Sequence, residues 1–131
     1  AFVVIDDKSI MAQLADSLPY AKMLASAPVA IVVCGDLSKA IEGEGATYWI
    51  QDASAATENI LLAAHGLGLG AVWTGAYPVM DRVRAIRDAL GLPPHIIPLN
   101  VIPMGYPDNV PAPKDKWKPE NIRKNNWANA Y

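Results

Sequence analysis

The segment from Ala46 to Gly75, ATYWIQDASAATENILLAAHGLGLGAVWTG, constrains the fold more than any other part of the chain. Placed on a helix, Thr47, Gln51, Ser54, Glu58 and His65 form one narrow polar stripe, and Asp52 and Asn59 add a small second patch. Tyr48, Trp49, Ile50, Ala53, Ala56, Ile60, Leu61 and Ala64 cover most of the rest. A helix that is apolar nearly all round has to be buried. Ala53, Ser54, Ala55 and Ala56 would let a second helix approach closely. In a chain of 131 residues, covering a helix this long is easier when a second copy supplies part of the cover. The pattern therefore predicts a subunit interface along this helix.

Its end is marked by glycines. Gly66 is expected just past the last helical residue, and Gly68 and Gly70 make a compact turn into the strand AVWTG. GLGLG is not a dinucleotide loop. That fingerprint needs a strand, then the glycines, then a helix whose N-terminus meets the pyrophosphate. Here a helix precedes and a strand follows.

The flanking segments suggest a single domain over residues 1–131. FVVI reads as a buried strand. Asp6 and Asp7 can cap a helix over Ser9 to Ser17, and Pro19 opens a short helix to about Ser26. VAIVVCG is β-branched and reads as a strand covered on both faces. Asp36 to Gly45 reads as a loop with a partial helical turn. Pro78 suits the first turn of the next helix, whose buried face is Val79, Val83, Ile86 and Leu90 and whose end is Gly91. Arg82, Arg84 and Arg87 on that helix read as a solvated face. HIIPLNVIPMG is extended, but Pro98 and Pro103 argue for a bulged or edge strand. From Tyr106 onward proline, charge and tryptophan dominate. Trp117 and Trp127 are costly to leave in water, so the tail 106–131 is expected to lie along the body or along a partner.

Several classes of function drop out. A net charge of −2 supplies no basic field for nucleic acid or an anionic membrane. No apolar run approaches the ~20 residues that a spanning helix needs. Cys34, the one cysteine, can form no disulfide within the chain. It reads as a small buried hydrophobe in a reducing compartment, so the expected location is cytoplasmic. His65 and His95 are the only histidines and there is no CxxC or HExxH, so no metal site is expected. His65, at the end of its helix, is placed to interact with the last carbonyls. There is no G-x-S-x-G, and Glu42 and Glu44 sit in a glycine-bearing loop rather than across a cleft. No residue set suggests acid–base or covalent catalysis by side chains, so any reaction would rest on a cofactor. Ala1 is not a methionine and AFVVIDD opens directly in a strand, so a segment upstream is expected.

YWIQDASAATENILLAAHGLGLGAVWTGAYP resembles the core segment of the nitroreductase family of FMN-dependent oxidoreductases. The features are the small-residue helix behind an aromatic pair, the G-L-G turn, the V-W-x-G strand end and the following Y-P. The tail P-x-P-K-D-K-W-x-P-E-x-I-x-x-N-x-W is similar to the C-terminus of shorter members, and AFVVIDD to the piece after their first flavin-binding region. The resemblance implies an α+β fold: a mixed, mostly antiparallel sheet flanked by helices, in an intertwined homodimer with FMN at the subunit interface. It implies that Val72, Trp73, Thr74 and Gly75 lie against the isoalloxazine ring, where a glycine lets backbone approach a flat ring. It implies that Lys114 and Lys116 meet the FMN phosphate, as point charges rather than forks. Tyr48, Trp49 and Tyr77 are candidates for stacking on substrate. The activity implied is passage of hydride from NAD(P)H through the flavin to a small-molecule acceptor such as a nitroaromatic, quinone or enone. The rival readings are a truncated, non-catalytic dimeric binding protein and an enzyme of other chemistry on the same fold, such as dehalogenation or flavin destruction. The family's N-terminal R-x-S or R-R-S motif is not in this chain.

Overall fold

A computed structural model describes residues 1–110 and 112–129. Among the described residues, five strands and three α-helices follow in the order β1 (Phe2–Ile5), α1 (Lys8–Ser17), β2 (Val29–Asp36), α2 (Trp49–Gly66), β3 (Gly70–Ala71), β4 (Thr74–Gly75), α3 (Met80–Leu90) and β5 (Ile96–Gly105). The sheet runs β1-β2-β5-β3, with β4 also paired to β5, and every pairing among the described residues is antiparallel.

The period-two alternation of a strand divides the core between two faces. Ala30, Val32 and Cys34 of β2 and Val101 of β5 turn to one side, against Met11 and Leu14 of α1 and Val83 and Ile86 of α3. Val33 of β2 and Leu99 and Ile102 of β5 turn to the other, against Ala53 of α2. The result is three layers, with α1 and α3 on one face and α2 alone on the other. Each large side chain buried in this way contributes about 1.5–3 kcal/mol.

The helices start and stop for local reasons. The Asp7 carboxylate accepts from the Ser9 and Ile10 amides at 2.8 and 3.1 Å and so caps α1. α2 extends through Gly66, so the glycine that terminates it is Gly68, not Gly66. Gly68 adopts φ +75°, a conformation costly for any residue with a Cβ. The Leu69 amide then bonds to the Ala64 carbonyl at 2.9 Å and the Gly68 amide to the His65 carbonyl at 3.0 Å. Those two bonds together make a Schellman cap. Gly91 closes α3 in the same left-handed region, at φ +61°.

Two expectations about position change, and a third resolves between its alternatives. FVVI is an edge strand with Phe2 and Val4 exposed, because only β2 pairs with it. Pro78 precedes α3 rather than opening its first turn, and Val79, as the capping residue, is exposed instead of packed. Of the two outcomes expected for β5, a bulge or an edge, the structure shows the bulge, and the strand lies inside the sheet despite its two prolines. Pro98 sits beside a bulge: Val33 pairs with Asn100 and Cys34 with Pro98, leaving Leu99 extra. Leu99 and Asn100 consequently both face α2. Pro103 falls where β5 has no second neighbour, since β3 pairs only with Met104 and Gly105 and β4 only with Asn100 and Val101. A bulge and a gap are the places where a strand tolerates proline.

Candidate functional site

The short strand β4 is held from several directions. Its two residues pair with Val101 and Asn100. The Thr74 hydroxyl, buried, donates to the Val101 carbonyl at 2.5 Å. The amides of Ala76 and Tyr77 both donate to the carbonyl of the bulged Leu99, at 2.9 and 3.1 Å. The Arg82 guanidinium reaches back from α3 and donates to the Gly75 carbonyl at 3.1 Å. The backbone from Thr74 to Tyr77 is thus fixed by β5 on one side and α3 on the other.

Its remaining side is open. A Cβ placed on Gly75 would come no nearer than 3.9 Å to another group, and that group is the indole Nε1 of Trp73. Val72 and Trp73 are both exposed. Val72 also lines a cavity of about 490 Å³ with Met23, Pro28, Met104 and Tyr106.

Tyr48 and Trp49 stand at the first turn of α2, in the wall of a separate cavity of about 320 Å³ that also includes Gly35, Asp36, Lys39 and Asp52. Trp49 packs against the Gly35 backbone, so closely that a Cβ there would fall 2.2 Å from its ring. Its ring also meets Tyr77 edge-on, with centroids 5.0 Å apart and planes at 67°. Beside it the Ser38 hydroxyl, at 2.5 Å, holds the Asp36 carboxyl below the usual carboxylate range, with the Lys39 ammonium adding to the effect.

The structure therefore brings Tyr48, Trp49 and Tyr77 together at one end of α2, and Val72, Trp73, Thr74 and Gly75 together along β4. Tyr77, two residues past Gly75, links the two groups. Lys114 and Lys116 lie apart from both in the exposed tail, and among the described residues neither has an ion-pair partner.

FMN asks for a flat, approachable edge and for cationic donors to a phosphate. The open side of Gly75 supplies the first and the two tail lysines carry the chemistry of the second, so the donor set fits the group. The segment Val72–Gly75 has no acid or base of its own, and its one hydroxyl already gives its proton to Val101.

Sequence reasoning passed over three residues. Asn100 and Thr57 are both fully buried, and the Asn100 amide donates to the Thr57 hydroxyl at 2.8 Å. The signal for Asn100 was a lone polar residue inside the apolar run IIPLNVIPM. Arg82 was grouped with a solvated face, and nothing in local spacing announces a bond that depends on how α3 folds back over β4.

Among known proteins, residues 2–106 match the model of the nitroreductase family. A relative from Methanothermobacter thermautotrophicus, provisionally named NADH dehydrogenase/NAD(P)H nitroreductase, is 46% identical over 127 residues; these span 96% of this chain but 64% of the relative. A crystal structure of a similarly named protein from Bacteroides thetaiotaomicron is 47% identical, with a TM-score of 0.90, covering 97% of this chain and 72% of that one. A structure titled FMN-dependent nitroreductase from Clostridium difficile is 29% identical, with a TM-score of 0.86 and coverage of 97% and 75%.

Proposed function

The chain belongs to the nitroreductase family, and on that premise we propose that it acts as an FMN-dependent oxidoreductase that takes hydride from NAD(P)H and passes it to a small acceptor such as a nitroaromatic or quinone. FMN, when bound, would supply the hydride chemistry. This chain's own residues would bind, orient and exclude water.

The observation that carries the reading is the Thr74–Gly75 edge. Its backbone is fixed by β5 and by Arg82, and it is open only at Gly75. A flat ring can lie against such an edge without displacing a side chain. Val72 and Trp73 would flank the ring. Lys114 and Lys116 would donate charge-assisted bonds to the phosphate. Tyr48, Trp49 and Tyr77 would present aromatic faces to the acceptor. The apolar flank of α2 would meet a second copy of the chain, so the working unit would be a homodimer. The names of the similar proteins from M. thermautotrophicus and C. difficile support the nicotinamide and the flavin respectively.

The test is optical. The purified chain is mixed with excess FMN, desalted, and its visible spectrum recorded; the same is done for a chain extended upstream. A retained flavin band that bleaches under anaerobic NADH or NADPH is expected. A folded dimer that holds no flavin in either form would favour the non-catalytic alternative.

A further inference from the structure

We propose that Arg82 is a positioning residue of the flavin site, and that its charge biases the bound flavin toward the reduced state. This rests on the reading above, that a flavin lies along Thr74–Gly75.

Three observations lead here. Arg82 is the only side chain among the described residues that bonds to the Gly75 backbone. It is half-buried on the third residue of α3, and its own amide closes a turn to the Val79 carbonyl at 3.0 Å, so its stem is anchored. Its charge has no carboxylate opposite it among the described residues. The neighbouring Asp81 is taken by Arg84, one turn along the exposed face. The remaining cation on this helix, Arg87, is a turn and a half further on and lines another cavity with Asp88 and Leu92.

An arginine used only to tie down a carbonyl could be replaced by a neutral donor. An uncompensated guanidinium does more. Flavin, when bound, would accept two electrons and one proton as hydride and so gain one negative charge, balanced by the positive charge on the departing nicotinamide, and the Arg82 guanidinium would face that added charge. A cation fixed beside the backbone that the ring faces favours that product over the starting state. It acts without moving when charge develops, as preorganised electrostatics requires. The site is partly open to water, so the effect is screened and modest.

The experiment is an anaerobic redox titration of flavin bound to the wild-type chain and to Arg82→Met and Arg82→Lys, each at low and high salt. Arg82→Met should lose about tenfold in its preference for reduced over oxidised flavin, which for a two-electron couple is a fall of about 30 mV. Arg82→Lys should keep most of the wild-type potential. Raising the salt should lower the wild-type potential and leave that of Arg82→Met in place. A purely structural arginine would change thermal stability and not the potential, so equal potentials in wild type and Arg82→Met would overturn the proposal. Should Arg82→Met fail to fold, a wild-type potential indifferent to salt would overturn it as well. A wild-type chain that takes up no flavin, even when extended upstream, would instead overturn the reading of the site on which this rests.

Discussion

Asn100 sets the terms at the scale of single residues. Its amide nitrogen is answered by Thr57, whose hydroxyl donates in turn to the Ala53 carbonyl at 2.8 Å. Its amide oxygen is buried with no donor among the described residues. Such an oxygen costs about 1–3 kcal/mol, so the pair is a poor source of stability. What it does is tie α2 to the central strand at the position that carries Gly75 on its other edge. Thr57→Val should destabilise the chain by about 1–3 kcal/mol in urea unfolding, because it leaves the nitrogen unanswered as well. Combining it with Asn100→Leu should recover part of that loss. Cys34 offers a second test. Burial pushes its thiol up to about 11, whereas an unfolded thiol ionises near ~8.5. Between those values the folded chain keeps a proton that the unfolded chain releases. Its contribution is therefore complete below the unfolded value and lost as pH rises toward the folded one. Cys34→Ala should flatten the fall in unfolding free energy between about pH 8 and about pH 10.5, relative to wild type.

At the scale of elements, α2 is the informative case. Only Ala53, Thr57 and Ala64 of its residues are fully buried within the chain. Leu62 is 61% exposed, and Leu67, at its C-cap, 74%. An apolar flank of this kind on an 18-residue helix would be covered if, as proposed, a second copy binds there. Leu62→Glu should leave the stability of an isolated chain nearly unchanged, yet shift sedimentation toward monomer; a variant that stays wholly dimeric would remove Leu62 from the interface. The nearly polar-free pattern of α2 was legible from the sequence, and so were its length and the turn after it. The terminating glycine was not, because Gly66 and Gly68 are equally permissive in composition and only the bond from Leu69 to Ala64 selects between them. For β5 the sequence pattern left two outcomes open, a bulge or an edge, and the structure takes the bulge. Local rules send a strand with two prolines to an edge or to a bulge, without saying which. Here one proline adjoins a bulge and the other fills a gap between β3 and β4, and both features depend on strands contributed from elsewhere in the chain.

At the scale of the whole molecule, the described part of the tail stands apart. Trp117 is 68% and Trp127 84% exposed, with the Arg123 guanidinium 5.5 Å from the centre of the Trp127 ring. Lys114 and Lys116 belong to this strip, so the phosphate donors of the proposed site and its ring edge come from parts of the chain that the body does not join. Local sequence pattern does not say how the tail and β4 meet in space, and for that reason the site was legible only as two lists of residues. The double change Lys114→Gln with Lys116→Gln should weaken FMN binding about tenfold at low salt, by loss of charge-assisted bonds, and should blunt its salt dependence. Equilibrium dialysis at two ionic strengths would decide.

The position of β5 also dictates an order of events. β2, β3 and β4 all pair with this strand, yet it is the last of the five to be made. On a ribosome adding roughly 5–20 residues per second, β2 waits several seconds with one long apolar edge bare, paired only to the short β1. Through that interval the nascent chain has the profile of a client for edge-shielding chaperones. Its yield in cells should depend more on their supply, and on translation rate between residues 36 and 105, than on the stability of the finished fold.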